Sequence, residues 1–126
     1  MLARYQILRG KREGREPLPT GVREDTRKHT RHPLRPSAEL VAAFFADPSE
    51  RGFLEFRKGY LALLADRFET ERERFDRLAE RASRQAVYIG CNCPTARQPE
   101  VRRCHTSLAL EFMAQKYPEL EVILPD

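Results

Sequence analysis

Three cysteines and a histidine form the densest group of reactive side chains in this sequence. Cys91, Cys93 and Cys104 are the only cysteines of the chain, and His105 follows the last of them directly. Thiolates and imidazoles are ligands of zinc, and a thiolate is also a nucleophile. An odd number of cysteines, without an export signal, argues against a framework of stable disulfides. A reversible Cys91–Cys104 bond stays open, because only geometry decides it.

Four interpretations of these residues stay open on the sequence alone. The thiols are buried structural groups, or they bind zinc, or one of them performs catalysis, or the region binds an anion without turnover. The candidate zinc ligands are Cys91, Cys93, Cys104 and His105. Their C-x-C-x10-C-H spacing differs from the usual C-x2-C pairing, and adjacent cysteine and histidine side chains point in different directions at a helix start. No cofactor is predicted outright, and zinc is kept as an alternative.

For catalysis, Cys104 is the candidate nucleophile, Cys91 is its rival, and His105 is the base or orienting group. Cys104 is expected at a helix N-terminus, where free N–H groups and the helix dipole stabilise a thiolate. Cys91 and Arg97 also match the Cys-x5-Arg spacing of phosphatase loops. With nineteen arginines in the chain, however, such a match arises easily by chance. The sequence therefore does not decide whether the protein is an enzyme.

Groups that bind anions surround the same cysteines. They are Arg97, Arg102, Arg103 and the hydroxyls of Thr95 and Thr106. Guanidinium groups and the N–H groups of a helix start both hold phosphate or carboxylate. The leading prediction is an anionic, phosphate-bearing ligand, either a small molecule or nucleic acid, at the junction of strand 86–90 and helix 104–117. A cysteine-dependent enzyme and a Cys/His zinc module are the alternatives.

The positive charge of the chain is concentrated in one segment. The whole chain carries a net +4, whereas residues 9–36 carry +5 and the remainder −1. This segment holds four of the nine prolines and three of the six glycines, and it lacks hydrophobic periodicity. The pattern predicts a long basic loop or arm with at most a short strand near 20–23. It is either a solvated connection or an arm that contacts phosphate. Nearby bases disfavour a metal at His29 and His32.

The composition argues against a membrane protein. No apolar run reaches the ~18–20 residues that a membrane span needs, and the first residues lack the apolar core of a signal peptide. We therefore expect a cytoplasmic protein without a membrane partner. The apolar face of helix 38–46 belongs either to the core or to a homodimer interface.

Hydrophobic periodicity predicts a small α/β fold for residues 1–126, a single domain with a short, mostly parallel sheet flanked by helices. The predicted strands are 3–8, 86–90 and 121–124. The predicted helices are 38–46, 50–67, 70–84 and 104–117. Parallel sheets bind ligands at the carboxyl ends of strands, beside the start of the following helix. Because Cys91 follows a strand and Cys104 begins a helix, we expect the fold to bring them together.

Two stretches of the chain, within about residues 36–117, resemble a known family. The first reads Pro36-Ser37-x-Glu39-Leu40, then Phe44-Phe45-x-Asp47-Pro48, then Phe53-x-x-Phe56-x-x-x-Tyr60-x-x-x-Leu64. The second contains the strand Val87-Tyr88-Ile89, Cys91, and Cys104-His105 at the start of the last helix. Together they are similar to the YeaO-like branch of the family called domain of unknown function 488.

The resemblance implies a three-layer α/β fold more than an activity. It also implies that Cys91, Cys104 and His105 are site positions. Two departures matter. Residue 106 is threonine where many members have arginine, and Cys93 with the following Pro94-Thr95 is an addition.

Overall fold

Three short strands form a parallel sheet whose central strand is the apolar one. The computed structural model describes residues 1–8 and 20–126 of the chain. In chain order, its strands are β1 (Leu2–Gln6), β2 (Val22–Asp25) and β3 (Val87–Cys91). Strand β3 pairs in parallel with both others, which gives the order β1-β3-β2. The predicted strand 86–90 is confirmed as β3, and the side chains of Val87 and Ile89 in it are fully buried.

Four α-helices accompany the sheet in the described part of the chain. They are α1 (Ala38–Ala46), α2 (Glu50–Thr70), α3 (Arg72–Arg84) and α4 (His105–Lys116), with a 3-10 turn at Val101–Arg103 before α4. Serines cap the first two helices, because Ser37 accepts the N–H of Leu40 and Ser49 accepts the N–H of Gly52, both at 3.1 Å. None of these helices is long and apolar enough to cross a bilayer. The predicted small α/β fold with a parallel sheet and flanking helices is confirmed.

The predicted last strand, 121–124, is reduced to one bridge. Val122 forms a parallel bridge with Leu2, and Leu2 exchanges backbone hydrogen bonds with Glu121 and Ile123. The chain thus returns from α4 beside β1, which leaves β3 between β1 and β2. The pairing stops early because the side chains that follow do not pack against the hydrophobic core. Ile123 is 47% exposed and Leu124 is 49% exposed.

One apolar cluster joins the sheet to the helices. Its largest fully buried side chains include Tyr60 of α2, Phe75 of α3 and Met113 of α4. On the sheet side, Leu2, Val87 and Ile89 belong to the same cluster. In the register of β1 and β3, Leu2 is opposite Val87, and Gln6 is opposite Cys91. The face of the sheet that packs on the core is therefore also the face that carries Cys91.

The described part of the predicted basic arm is packed against the helices. Residues 20–36 contain strand β2, and Thr26 and Leu34 are fully buried. The hydroxyl of Tyr60 donates to the carbonyl oxygen of Leu34, and Arg67 donates to that of Pro33 at 2.9 Å. These contacts satisfy backbone groups that no regular structure pairs. Residues 9–19 of the predicted arm lie outside the described residues.

Candidate metal centre

Cys91, Cys93 and Cys104, which we call the cysteine cluster, lie at the end of β3, in the loop after it and at the start of α4. Cys91 is the last residue of β3, and Cys104 is the N-cap residue of α4. The Sγ atoms of all three lie within 4.8 Å of one another, and those of Cys91 and Cys93 are 4.0 Å apart. Cys104 is buried and the other two are half-buried. The three sulfur atoms therefore lie close enough to bind one metal ion.

Two side chains of β1 hold the loop that follows β3. Arg4 donates through Nη2 to the carbonyl oxygen of Cys93 at 2.6 Å, and through Nε to the hydroxyl of Thr106 at 2.9 Å. Gln6 donates to the carbonyl oxygens of Asn92, at 3.1 Å, and Pro94, at 2.7 Å. Arg4 and Gln6 are two positions apart in β1, so both side chains lie on the sheet face that carries Cys91. From this face both reach the loop.

Two thiols of the cluster have shifted pKa values. Hydrogen bonds from Cys91 and Cys93 hold the pKa of Cys104 well below its usual value, and the Thr106 hydroxyl, 3.2 Å from Sγ, adds to this against the opposing effect of burial. The pKa of Cys93 is raised, because its thiol proton is shared with Cys104 and Cys91 and its sulfur is partly buried. The pKa values of Cys104 and Cys93 are thus shifted in opposite directions. A metal ion bound here displaces those thiol protons.

His105 is fixed beside the cluster by contacts of its own. Its Nε2 lies 2.9 Å from the hydroxyl of Thr26, which also donates to the carbonyl oxygen of Gly90 at 3.0 Å. Its ring packs edge-on against Tyr60. Its Nδ1 lies 3.8 Å from the Sγ of Cys104, but the group of mutually close ligand atoms contains only the three sulfurs. Of the four predicted zinc ligands, the structure brings the cysteines together and leaves His105 at their side.

A cavity of about 380 Å³ opens over the cysteine cluster. Its lining combines the three thiols and His105 with bases and aromatic rings. The basic and aromatic lining residues are Arg27, Lys28, His29, Arg97, Arg103, Phe44, Phe45 and Phe56. No carboxylate of the described residues lines it. The cavity is therefore electropositive at its bases and apolar along the wall that α1 and α2 provide.

The predicted anion ligands are divided between the cavity and other surroundings. Arg97, Arg103 and Thr95 line the cavity. Arg102, in the 3-10 turn, is exposed and lies outside the lining. Thr106 is fully buried, where its hydroxyl bonds to neighbouring side chains rather than to the cavity.

The basic segment contributes to the same cavity through its described part. Arg27 is paired with Asp25 at 2.7 Å and donates to the side-chain oxygen of Asn92 at 3.2 Å, which ties β2 to the cysteine loop. Lys28 and His29 follow it in the lining. The sequence predicted a basic segment but gave no signal for which of its residues face the cysteines. Arg4 and Gln6 were missed entirely, because their contacts with the cysteine loop span more than eighty positions of the chain.

No family model, curated protein or solved structure matches this chain. The resemblance to the domain of unknown function 488 family therefore stays a prediction.

Proposed function

We propose that the protein binds a zinc ion through Cys91, Cys93 and Cys104, and that the fourth coordination position of the ion faces the cavity. The observation that carries the proposal is the mutual distance of the three sulfur atoms, all within 4.8 Å. Zn–S bonds of about 2.3 Å in a tetrahedron put sulfur atoms about 3.8 Å apart. The 4.0 Å between the sulfurs of Cys91 and Cys93 is close to this value. Small side-chain rotations complete the geometry.

The donor set favours zinc over the hard cations. Thiolates select soft or borderline metals, whereas magnesium and calcium require oxygen ligands. Zinc sites closed by four protein ligands are structural, and sites with three protein ligands keep a position for water or substrate. Among the described residues, only the three cysteine sulfurs have ligand atoms mutually within 4.8 Å, and His105 lies outside this group, so three protein ligands are expected. The proposed site is therefore of the open type.

The surroundings also suit the charge of such a centre. Zinc with three thiolates carries one net negative charge, and the Arg4 guanidinium donates to the backbone of Cys93 beside it. A cytoplasmic location belongs to the same proposal, because all three thiols are free and a reducing compartment keeps them available to a metal.

Native mass spectrometry of the purified protein tests the zinc proposal. The expected result is one zinc ion per chain, lost on treatment with a chelator and regained on addition of zinc. Cys93→Ser and Cys104→Ser should each abolish stoichiometric binding. The matched control is His29→Ala, which removes an exposed imidazole of the cavity lining and should leave the zinc content unchanged. A wild-type chain that stays metal-free at saturating zinc, or that takes up only copper(I), contradicts the proposal.

A second candidate function, thiol-dependent catalysis, has one observation in its favour. The Nδ1 atom of His105 lies 3.8 Å from the Sγ of Cys104, which suits a base beside a nucleophile. Alkylation of the metal-free protein separates the two functions. If Cys104 is a nucleophile activated by the imidazole, His105→Gln slows its alkylation severalfold. If the thiols serve only as metal ligands, His105→Gln leaves both the alkylation rate and the zinc content unchanged.

A further inference from the structure

We propose that the cavity over the cysteine cluster binds a small organic anion, whose acidic group pairs with Lys28 and Arg97 and whose apolar body packs on Phe44, Phe45 and Phe56. This inference rests on the proposed zinc site for the position of the acidic group, beside the open coordination position. It narrows the expected phosphate-bearing ligand to a molecule with one acidic end and one apolar end.

The charges of the lining support the acidic end. Of the bases that line the cavity, Arg27 is paired with Asp25 at 2.7 Å, and Arg103 is paired with Glu50 at 2.6 Å. Lys28 has no ion pair or hydrogen bond with any other described residue. Because no described carboxylate lines the cavity, the charge of Lys28 is available to a ligand.

Arg97 is the second base available to a ligand, and an aromatic ring already orients it. Its guanidinium carbon lies 4.0 Å from the ring centre of Phe45, and it forms no ion pair with another described residue. A stacked guanidinium keeps its N–H groups in the plane of the fork, where they can bind a carboxylate or a phosphate in a bidentate manner. The stacking thus holds Arg97 at the cavity without using its hydrogen-bond donors.

The apolar wall and the size of the cavity indicate the rest of the ligand. Phe44 stacks on Phe56 with ring centres 5.4 Å apart, and Phe45 continues the wall beneath Arg97. An inorganic ion would leave this apolar wall of the cavity in contact with water. A volume of about 380 Å³ falls in the range of about 300–1,000 Å³ that small-molecule sites occupy. A polynucleotide would contact the surface bases but not this wall.

Titration calorimetry on the zinc-loaded protein with matched probes tests this inference. The probes are 1-naphthyl phosphate, 1-naphthoate, 1-naphthol, inorganic phosphate and a single-stranded oligonucleotide. The expected result is that a naphthyl anion binds at least about tenfold more tightly than both 1-naphthol and inorganic phosphate, since each of these lacks one half of the recognition. The two naphthyl anions distinguish a phosphate site from a carboxylate site.

Variants locate the binding in the cavity. Lys28→Met and Arg97→Met should each weaken binding of the naphthyl anion by about tenfold, because each variant loses about one charge-assisted hydrogen bond. Lys58→Met is the matched control, because Lys58 is exposed on α2 and lies outside the cavity lining. Equal affinity in all three variants overturns the inference. So does tighter binding of the oligonucleotide, with a steep loss of affinity as salt rises.

The zinc content of the same samples separates the two proposals. A chain that holds one zinc ion but binds no naphthyl anion refutes the anion site and leaves the metal site standing. A chain that binds a naphthyl anion through Lys28 and Arg97 but takes up no zinc supports the anion site and refutes the metal site.

Discussion

Arg4 illustrates how one side chain outside the cysteine cluster fixes the geometry of the cluster. Its guanidinium bridges the carbonyl oxygen of Cys93 and the hydroxyl of Thr106, and that hydroxyl lies 3.2 Å from the sulfur of Cys104. One side chain of β1 therefore contacts both ends of the loop between β3 and α4. Removal of a group that orients metal ligands in this way typically lowers metal affinity by about 10–100-fold.

Replacing Arg4 should therefore loosen the metal site. Arg4→Met is expected to lower zinc affinity by about 10–100-fold, measured by competition with a zinc chelator of known affinity. Arg4→Lys should restore part of the loss, because it keeps the charge but not the forked donors. Arg51→Met, at an exposed position of α2, is the control. Unchanged zinc affinity in Arg4→Met would exclude Arg4 from positioning the loop.

The carboxylate of Glu24 should make the free energy of unfolding fall as the pH becomes acidic. Burial alone would raise the pKa of Glu24, but the hydrogen bond and charge of His32, at 2.7 Å, and the guanidinium of Arg81 outweigh it and lower the pKa. A carboxyl with a lowered folded-state pKa stabilises the fold fully above its unfolded value, near 4.3, and loses this contribution as pH falls through the folded value.

Denaturant unfolding at several pH values checks this dependence. Glu24→Gln should be less stable than the wild type at neutral pH, and the difference should shrink steadily below about pH 4.3. The comparison variant is Glu55→Gln, at an exposed glutamate of α2 without an ion pair among the described residues. A stability difference that stays constant down to the lowest pH would rule out a contribution from this carboxylate.

At the scale of elements, the junction of α1 and α2 depends on a glycine. Gly52, in the first turn of α2, is buried against the end of α1. A Cβ atom at this position would lie 1.7 Å from the carbonyl oxygen of Asp47, so the backbone itself would have to move. At Gly59 of the same helix, the nearest obstacle is the Cδ2 atom of the Leu40 side chain, at 2.6 Å. A side chain end yields more easily than a backbone.

Alanine substitutions at these two glycines should therefore differ in cost. Gly52→Ala is expected to lower the free energy of unfolding by about 3 kcal/mol, the upper end of the usual cost of overpacking. Gly59→Ala should cost less, since Leu40 can rotate away and alanine favours a helix. Urea unfolding monitored by circular dichroism measures both. Equal losses would contradict the close backbone approach at Gly52.

Some elements of the fold could be predicted from the sequence, and others could not. Local signals were sufficient for the four helices and for the strand at 86–90, whose predicted bounds lie close to those in the structure. The position of Cys91 and Cys104 followed from general rules for parallel sheets. The last strand was misjudged, because its apolar pattern says nothing about whether a core exists to receive Ile123. The contacts of Arg4 join distant parts of the chain and have no local pattern.

At the scale of the whole molecule, a metal bound by three elements should couple ligand binding to folding. The ion would connect the end of β3, the loop after it and the start of α4, which are assembled only in the folded chain. A ligand that binds the folded state alone adds about 2.7 kcal/mol to stability at a concentration of 100 times its Kd. We expect a zinc-dependent rise of this order in the free energy of unfolding, absent in Cys104→Ser. Identical unfolding curves with zinc and with chelator would contradict the coupling.

X-ray absorption spectroscopy of the zinc-loaded protein identifies the ligands of the ion itself and so tests the proposed metal centre without relying on a variant. We expect three sulfur atoms at about 2.3 Å from the zinc ion and one nitrogen or oxygen atom at about 2.0–2.1 Å. Addition of a naphthyl anion should change only the signal of the nitrogen or oxygen ligand and leave the three sulfur distances unchanged. A shell of nitrogen and oxygen atoms without sulfur would contradict the assignment of Cys91, Cys93 and Cys104 as the metal ligands.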